Sequence, residues 1–375
     1  MPAQSPPAEP ALPLQGVRVL SMAELYPGPY ATLLLADLGA EVILLERAQG
    51  GDPARQLPMF FAALNRGKKS VAIDLKQADG PAQVRRLMRT ADMFLEGFRP
   101  GVLDRFGLGY RQVAEDNPAL IYISISGFGQ TGPYRDRPAH DISFQALAGL
   151  LQGYGRDGAR PAPSVPIADL SAGLFAVIGG LAALHRRRES GRGCHVDVAM
   201  ADGLVSLMTG QLAPLLNGKP VPDPAESPAY GLFRCADGRD LSLSVVHEDA
   251  LWDRLCAAVD LADAAGLDFA ERLRDGARLR DRLAARIAAS PQGHWLTVFE
   301  AAGVPCAPVN RLADVIRDPH FLSRGMFVEV ERPGDGTEMH VRQPLRFDGA
   351  APAPRSAAPK LGADSAAFLT TTTAE

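Results

Sequence analysis

The chain contains 375 residues, of which 46% are apolar and 22% charged, so it can bury a substantial core in one large or two medium domains. Its formal net charge of -4 gives no overall basic field, which argues against nucleic acid as a partner. The 7 histidines lack metal-ligand spacing, and the 4 cysteines are too few and too widely spaced for a disulfide scaffold. These features indicate a cytoplasmic globular protein without a bound metal.

The N-terminal residues 1–13 are rich in proline and alanine, and they lack both a basic leader and an apolar stretch. We interpret them as a flexible tail. The longest apolar run in the chain, Leu174 to Leu184, has 11 residues, whereas about 20 are needed to span a bilayer. We interpret this run as part of a buried helix and expect no membrane partner.

From residue 16 onward, segments with strand composition alternate with segments of helical periodicity. In chain order they are GVRVLSM, PYATLLLADLG, AEVILLER, KSVAIDLK, PAQVRRLMRTAD, MFLEGF and LIYISISGFG. Alternation of this kind predicts right-handed βαβ units in a parallel sheet, with a ligand crevice at the carboxyl ends of the strands. The first half of the chain is therefore predicted to be a Rossmann-like α/β layer.

A dinucleotide-binding domain is the obvious alternative for such a layer, because Glu46 near the end of the second strand could bind a ribose. The first turn, however, reads ELYPGPY and not G-x-G-x-x-G. The prolines that flank Gly28 also remove amide donors that a pyrophosphate would use. The residues therefore disfavour NAD as a ligand.

The middle of the chain begins with a long helical pattern, IADLSAGLFAVIGGLAALHRRRES, for which Asp169 or Ser171 is a candidate cap. After the breaker-rich NGKPVPDPAESP, a hairpin-like segment and several helical patterns predict a smaller α+β domain at residues 222–319. Residues 14–221 are assigned to the large Rossmann-like domain. Residues 320–375 contain two strand-like segments around Gly-Asp-Gly and are expected to return to the large domain and end as a tail.

The segment RPAHDISFQAL places His140 directly before Asp141 at the start of an apolar helical pattern. In one interpretation Asp141 caps a helix and His140 lies on its surface. In the other interpretation the pair belongs to a site, where the carboxylate tunes the pKa of the histidine. The two residues alone leave both interpretations open.

Several longer motifs occur together and in order: LQGVRVLSMAELYPGPYATLLLADLGAEVILLER, NRGKKSVAIDLK, FLEGFRPGVLDRFGLGY, ISISGFGQTGPYRDRPAHD, PIADLSAGLFAVIGGLAALHRRRESGRG and AGVPCAPVN. Between about residue 14 and residue 350 the chain resembles the class III CoA-transferase (CaiB/BaiF) family, which also contains the α-methylacyl-CoA racemases. The resemblance implies an interlocked homodimer, in which each subunit has a Rossmann-type large domain built from both chain ends and a small central domain.

The same resemblance implies that CoA binds as part of an acyl-CoA substrate, with no permanently bound cofactor. The matching positions are Arg47, Ile73, Lys76, Phe98, Arg99 and Arg105. Three arginines and a lysine suit the phosphates of CoA, while Ile73 and Phe98 could flank its adenine or pantetheine. The alternative to CoA binding is that each charged residue simply lies in solvent at the end of a strand or helix.

In transferases of this family, the aspartate that matches Asp169 is a nucleophile. Its carboxylate attacks the donor thioester to give an acyl-enzyme anhydride, and CoA then passes through an enzyme-CoA thioester to a carboxylic acid acceptor. Amides at the N-terminus of the helix are expected to keep Asp169 ionised. The DLSAG and AGVPCAPVN segments resemble the transferases, so CoA transfer is the preferred function.

The racemase branch is the alternative, because its matching stretch resembles G-H-D-I-N-Y and His140 stands at the histidine position. In that branch His140 and Asp169 would act as bases on opposite faces of the α-carbon, with Glu248 as a further candidate in VVHEDALW. In a transferase, His140 would position the acyl group or polarise its carbonyl. A third possibility is a CoA-binding protein without catalysis, and the sequence does not reveal the acyl group.

Overall fold

The computed structural model describes residues 12–153, 164–221, 226–332, 334 and 336–370, so most of the expected N-terminal tail lies outside the described residues. The chain forms two compact units. The first contains residues 1–210 and 323–375, and the second contains residues 211–322. The first division falls within a helix, Thr209–Leu216, and so lies before the expected start of the small domain at residue 222.

The first unit is built on a six-stranded parallel sheet with the strand order β3-β2-β1-β4-β5-β6. Its strands are β1 (Arg18–Ser21), β2 (Glu41–Arg47), β3 (Lys69–Ile73), β4 (Met93–Glu96), β5 (Ile121–Ser126) and β6 (Cys194–Ala199). The predicted Rossmann-like α/β fold is thereby confirmed. The strand order reverses between β1 and β4, and in open sheets of this type ligands bind in the crevice at that switch point.

Helices cover both faces of the sheet and bury two hydrophobic clusters against it. On one face α1 and α6 pack over Val19, Leu44 and Ile123, and on the other α3 and α4 pack over Leu20 and Phe94. Alternate residues of each strand point to opposite faces, which explains the nearly continuous apolar runs of these strands. The helices up to the second unit are α1 (Pro27–Asp37), α2 (Pro58–Asn65), α3 (Gly80–Met88), α4 (Tyr110–Asp116), α5 (Asp141–Leu147), α6 (Ile167–Ser190), α7 (Met200–Leu207) and α8 (Thr209–Leu216).

Glycines let the first turns of α1 and α6 approach each other closely. A Cβ added to Gly173 on α6 would lie 2.9 Å from the carbonyl oxygen of Pro27, the first residue of α1. A Cβ added to Gly28 would lie 2.1 Å from the Cβ of Ala23 in the loop after β1. The N-terminal turn of α6 is therefore placed beside the β1–α1 loop, at the carboxyl edge of the sheet.

Helix α6 is 24 residues long, and its length and apolar composition would also suit a membrane span. Half of its most apolar window is buried inside the protein, as in a core helix. The predicted buried helix is buried on one side only, because Leu174 is 46% exposed and Ile178 is 59% exposed. One face of α6 packs on the sheet and the other presents apolar side chains at the surface.

The second unit has a three-stranded antiparallel sheet in the order β7-β8-β9, packed with helices around a core that contains Trp252 and Trp295. Its elements are β7 (Tyr230–Arg234), β8 (Asp240–Ser244), α9 (Asp249–Ala258), α10 (Phe269–Arg274), α11 (Gly276–Ile287), α12 (Gln292–Ala302), β9 (Cys306–Pro308), α13 (Leu312–Val315) and α14 (Pro319–Ser323). The first two strands are the predicted hairpin.

The chain then contributes to the first unit again. An antiparallel hairpin of β10 (Phe327–Arg332) and β11 (Gly336–Val341) is followed near the C-terminus by α15 (Ser365–Leu369). The Ser70 amide on β3 donates to the Asp364 carboxylate over 2.9 Å, and the Ala72 amide donates to Ser365 Oγ over 3.0 Å. These bonds cover the outer edge of β3, so the C-terminal segment completes the sheet.

Candidate active site at the carboxyl edge of the sheet

A cavity of about 580 Å³ opens at the switch point of the sheet. The loops after β1, β4 and β5 form part of its wall, and the segment before α5, the first turns of α1, α5 and α6, and the start of α7 also contribute to it. All of its lining residues belong to the first unit. Those that matter for chemistry are Glu24, Phe98, Arg99, Arg137, His140 and Asp169. The volume is in the range of small-molecule sites.

Asp169 is the third residue of α6 and is half-buried in the cavity wall. Burial and, to a smaller extent, the nearby Asp141 carboxylate raise the pKa of its carboxyl group, while His140 lowers it, and the resulting pKa is about 6. The helix amides, which were expected to keep Asp169 ionised, do not lower its pKa below the ordinary value. The carboxylate is ionised above about pH 6 and is only weakly hydrated, as a nucleophile should be.

The amides at the start of α6 are bound by Asp141. Its Oδ1 accepts hydrogen bonds from the Ala168 amide over 2.7 Å and from the Asp169 amide over 3.2 Å, and its Oδ2 accepts one from the side chain of Gln145. The residue at the N-cap position of α6 is Pro166, which has no side-chain hydrogen bond. Neither Asp169 nor Ser171 caps the helix as expected. Asp141 does so from a segment that is distant in the chain.

His140 precedes α5 and lines the cavity with an exposed side chain. It lies close enough to Asp169 to lower the pKa of that carboxyl group. The hydrogen bonds to Asp141 come from α6 and from Gln145, and none from His140 is found among the described residues. The expected interaction between His140 and Asp141 is therefore not made through a hydrogen bond in the described residues.

The residues proposed for CoA all follow strands at the same edge of the sheet. Phe98 and Arg99 line the cavity directly. Arg47 ends β2 and forms an ion pair of 3.0 Å with Glu24, which itself lines the cavity. The exposed Lys76 and Arg105 follow β3 and β4 outside the cavity lining.

Two further expected site residues, Ile73 and Glu248, lie in positions that do not suit their expected roles. The side chain of Ile73 is only 4% exposed and belongs to the hydrophobic core, so it cannot flank a bound adenine in this conformation. Glu248 lies in the second unit, where it precedes α9 and accepts a hydrogen bond of 3.0 Å from the Val246 amide. Backbone amides lower the pKa of Glu248, which makes it a weaker base.

Sequence reasoning missed Glu24, Glu96 and Arg137. Arg137 lies on the loop before His140 and lines the same cavity, and its guanidinium lies 5.2 Å from the centre of the Tyr134 ring. The fragment YRDRPAHD could have identified Arg137, because an arginine three residues before a candidate histidine can reach the same ligand. Within the part of the chain that the structure describes, no cluster of His, Cys, Asp and Glu is suited to hold a metal ion.

The chain belongs to CoA-transferase family III, whose model matches residues 14–365. This confirms the predicted family. The chain is 33% identical over 382 residues to acetyl-CoA:oxalate CoA-transferase of Acetobacter aceti, and the match covers 97% of each chain. It is 34% identical over 374 residues to succinate–glutarate CoA-transferase of Agrobacterium fabrum, with 91% of this chain and 92% of the relative covered. A solved structure of a Mycobacterium tuberculosis protein, 33% identical, superimposes with a TM-score of 0.87 over 96% of this chain and 100% of its own.

Proposed function

We propose that the protein transfers CoA from an acyl-CoA donor to a carboxylic acid, with Asp169 as the nucleophile. The observation that carries the proposal is the position of the half-buried Asp169 carboxylate in the wall of the cavity, together with Phe98, Arg99 and His140. The transferase names of the two relatives support this reaction over racemisation.

The reaction divides into four balanced steps. The Asp169 carboxylate attacks the thioester carbonyl, the C–S bond breaks, and the CoA thiolate leaves a mixed anhydride. The thiolate then attacks the aspartyl carbonyl, which releases the donor acid and forms an enzyme-CoA thioester. The acceptor carboxylate attacks that thioester and again displaces the thiolate. Attack of the thiolate on the acyl carbonyl finally yields the new acyl-CoA and free Asp169.

His140 is assigned to the developing charge on the thioester oxygen. It lines the same cavity as Asp169 and interacts electrostatically with it, so an acyl group that reaches Asp169 also lies near the imidazole. A hydrogen-bond donor at that oxygen stabilises each tetrahedral intermediate. The bases of a racemase would also be found in one cavity, and for that reason the test below includes α-proton exchange.

The basic residues along the carboxyl edge of the sheet are assigned to CoA. Neighbouring strands are about 4.8 Å apart, so a ligand that extends from Arg99 to Lys76 crosses the ends of β4, β1, β2 and β3. Arg47 and Arg105 lie along the same edge and can bind phosphates. Phe98 offers a half-buried ring to the pantetheine. Since CoA arrives with the substrate, the proposal needs no permanently bound cofactor.

The acceptor is proposed to be a dicarboxylic acid. The two named relatives act with oxalate, succinate or glutarate, each of which has a second carboxylate that does not react. Arg137 is suited to bind that group, because it lines the cavity and has no carboxylate partner among the described residues. The neighbouring Arg135 is already occupied by Asp136 and by the carbonyl oxygen of Gln130.

We expect the protein, given succinyl-CoA and a panel of acids in deuterated water, to form new thioesters with dicarboxylates such as glutarate and oxalate. Acetate and propionate should react poorly, because they leave Arg137 without a carboxylate. No deuterium should enter the α-position of the acyl group. Liquid chromatography with mass spectrometry measures both products. Deuterium uptake without any new thioester would contradict the proposed function.

The matched variants for this assay are Arg137→Ala and Arg188→Ala. Arg188 is an exposed arginine at the far end of α6, away from the cavity. Loss of one charge-assisted contact should raise the KM for dicarboxylates about 10-fold or more in Arg137→Ala and leave it unchanged in Arg188→Ala. An unchanged KM in both variants would remove Arg137 from the acceptor site while leaving CoA transfer in place.

We also propose that the protein is a homodimer in the cytoplasm. The outer faces of α6 and α7 expose Leu174, Ile178, Val205 and Leu207, and contiguous apolar surface of this kind marks an interface. All four cysteines are free, which suits a reducing compartment.

Sedimentation at micromolar concentration should give a dimer, and Ile178→Glu should shift it toward monomer. Leu312→Glu, at an exposed leucine of α13, is the control, and an active wild-type monomer would contradict the proposal.

A further inference from the structure

Glu96 is a buried carboxylate that the proposed reaction does not use. It is the last residue of β4 and is 6% exposed. Directly after it comes the loop of residues 97–100, which places Phe98 and Arg99 in the cavity wall. A carboxylate in such a position loses its hydration and needs hydrogen-bond donors to remain ionised. The groups that contact the Glu96 carboxylate therefore indicate its role.

The Glu96 carboxylate links this loop to β5 and, through Ser124, to β6. The Phe98 amide donates to Glu96 Oε2 over 2.8 Å. Ser124, the register partner of Glu96 on β5, interacts with the same carboxyl group and lowers its pKa, and Ser124 Oγ lies 2.9 Å from His195 Nε2 on β6. The His195 ring stacks on Tyr110 with the ring centres 5.4 Å apart. A polar chain thus runs from the cavity loop to β6.

Glu46, near the end of β2, shows how a purely structural carboxylate is built at the same edge of the sheet. Burial opposes its ionisation, but two hydrogen bonds of 2.7 Å from Arg55 and one of 2.6 Å from Ser70 lower its pKa. Glu96 has no such cation, since no lysine or arginine forms an ion pair with it among the described residues. The principal contacts of its carboxylate are with Ser124 and with the Phe98 amide of the cavity loop.

This difference makes Glu96 titrate near neutrality. Burial raises its pKa, Ser124 and the Phe98 amide lower it, and the Asp104 and Asp197 carboxylates raise it, so that the resulting pKa is about 7. Burial lowers the pKa of His195, so that ring is neutral at neutral pH and does not balance the charge of Glu96. The other ionisable or charged side chains around the adjoining small cavity are Arg99, Tyr110, Arg111 and Tyr122.

We propose that Glu96 is the positioning residue of the 97–100 loop: its ionised carboxylate holds the Phe98 amide and thereby keeps Phe98 and Arg99 in place for the CoA part of the substrate. Protonation weakens this bond, because hydrogen bonds to ionised acceptors are about twice as strong as neutral ones. The protonated acid can donate to Ser124, whose hydroxyl then turns toward His195. CoA affinity is therefore expected to fall as the pH falls through neutrality. The inference rests on the proposed CoA site.

Calorimetry with CoA between pH 6 and pH 8.5 tests this on the wild type and on Glu96→Gln, which keeps an acceptor for the Phe98 amide but cannot ionise. The wild type should bind about fivefold more tightly than the variant at pH 8.5, and the two should converge toward pH 6. Comparison of the two proteins cancels the titration of the CoA phosphates. In turnover, the KM for acyl-CoA should rise in the variant while kcat changes little.

Ser124→Ala is the second variant. The Ser124 hydroxyl lowers the pKa of Glu96, so its removal should move the midpoint of the pH dependence to higher pH. A merely structural role would not move this midpoint. Equal CoA affinity of wild type and Glu96→Gln at every pH overturns this inference alone. A wild-type protein that binds no CoA overturns the proposed function.

Thermal unfolding provides a readout that needs no CoA. Because the folded-state pKa of Glu96 lies above its ordinary 4.5, the protein loses stability as the pH rises from about 4.5 to about 7. Glu96→Gln removes this loss, so its Tm should exceed that of the wild type at pH 8.5 and approach it near pH 5. Glu46→Gln is the matched control and should lower the Tm at pH 8.5, since the pKa of Glu46 is lowered in the folded state. A lower Tm for Glu96→Gln at pH 8.5 would contradict the inference.

Discussion

Replacement of Asp169 by asparagine is expected to lower kcat for CoA transfer by roughly four to six orders of magnitude, the loss typical of a removed nucleophile. The asparagine amide has nearly the same shape as the carboxylate but cannot form the mixed anhydride. The change should not disturb the fold, because the bond from the Asp169 amide to Asp141 is made by the backbone. Chromatography of the new thioester measures the effect.

Trapping of the covalent intermediate separates a nucleophile from a base. Wild-type protein incubated with acyl-CoA and hydroxylamine should acquire a hydroxamate at Asp169, found by peptide mass spectrometry, and Asp169→Asn should acquire none. Asp136→Asn is the matched control, since Asp136 is an exposed aspartate that pairs with Arg135 and does not line the cavity. Absence of the adduct in an active wild type would exclude the anhydride mechanism.

Much of the first unit could be predicted from the alternation of strand and helix patterns, because parallel strands that are buried on both faces have long apolar runs. The sixth strand, Cys194–Ala199, was not predicted. It lies at the edge of the sheet, and the first half of the strand is only partly buried, so His195 and Asp197 interrupt its apolar pattern. The order of the strands is also a tertiary property that local patterns do not contain.

For the site, family motifs grouped Phe98, Arg99, His140 and Asp169, and the structure places these four residues in one cavity, while their roles stay predictions. They could not identify the role of Asp141. The Asp141 carboxylate reaches the Ala168 amide across 27 positions of sequence, and no local capping pattern describes such a contact. For the same reason the raised pKa of Asp169 could not be predicted, since it depends on burial and on Asp141.

The position of Asp141 has a measurable consequence for the pH dependence of the reaction. Transfer requires ionised Asp169, whose pKa of about 6 should appear as the acidic limb of the rate profile. Asp141→Asn can still accept the Ala168 hydrogen bond but removes a negative charge beside Asp169. Since that charge raises the pKa of Asp169, its removal should lower the pKa and extend activity to lower pH. His140→Ala should move the limb in the opposite direction, because His140 lowers the same pKa.

Asp141→Ala tests the capping role separately from the charge. Without any acceptor the first amides of α6 lose their partner, and loss of a helix cap costs about 1 to 2 kcal/mol of folding stability. The first turn of α6 also carries the nucleophile, so a shift of about 1 Å there should reduce kcat roughly 100-fold. Asp141→Asn should retain most of both, whereas Asp141→Ala should lose both while still showing the downward shift of the acidic limb. If the two variants have equal Tm and equal kcat, Asp141 acts through its charge alone, and the assignment of the Ala168 and Asp169 amides to positioning of the nucleophile is wrong.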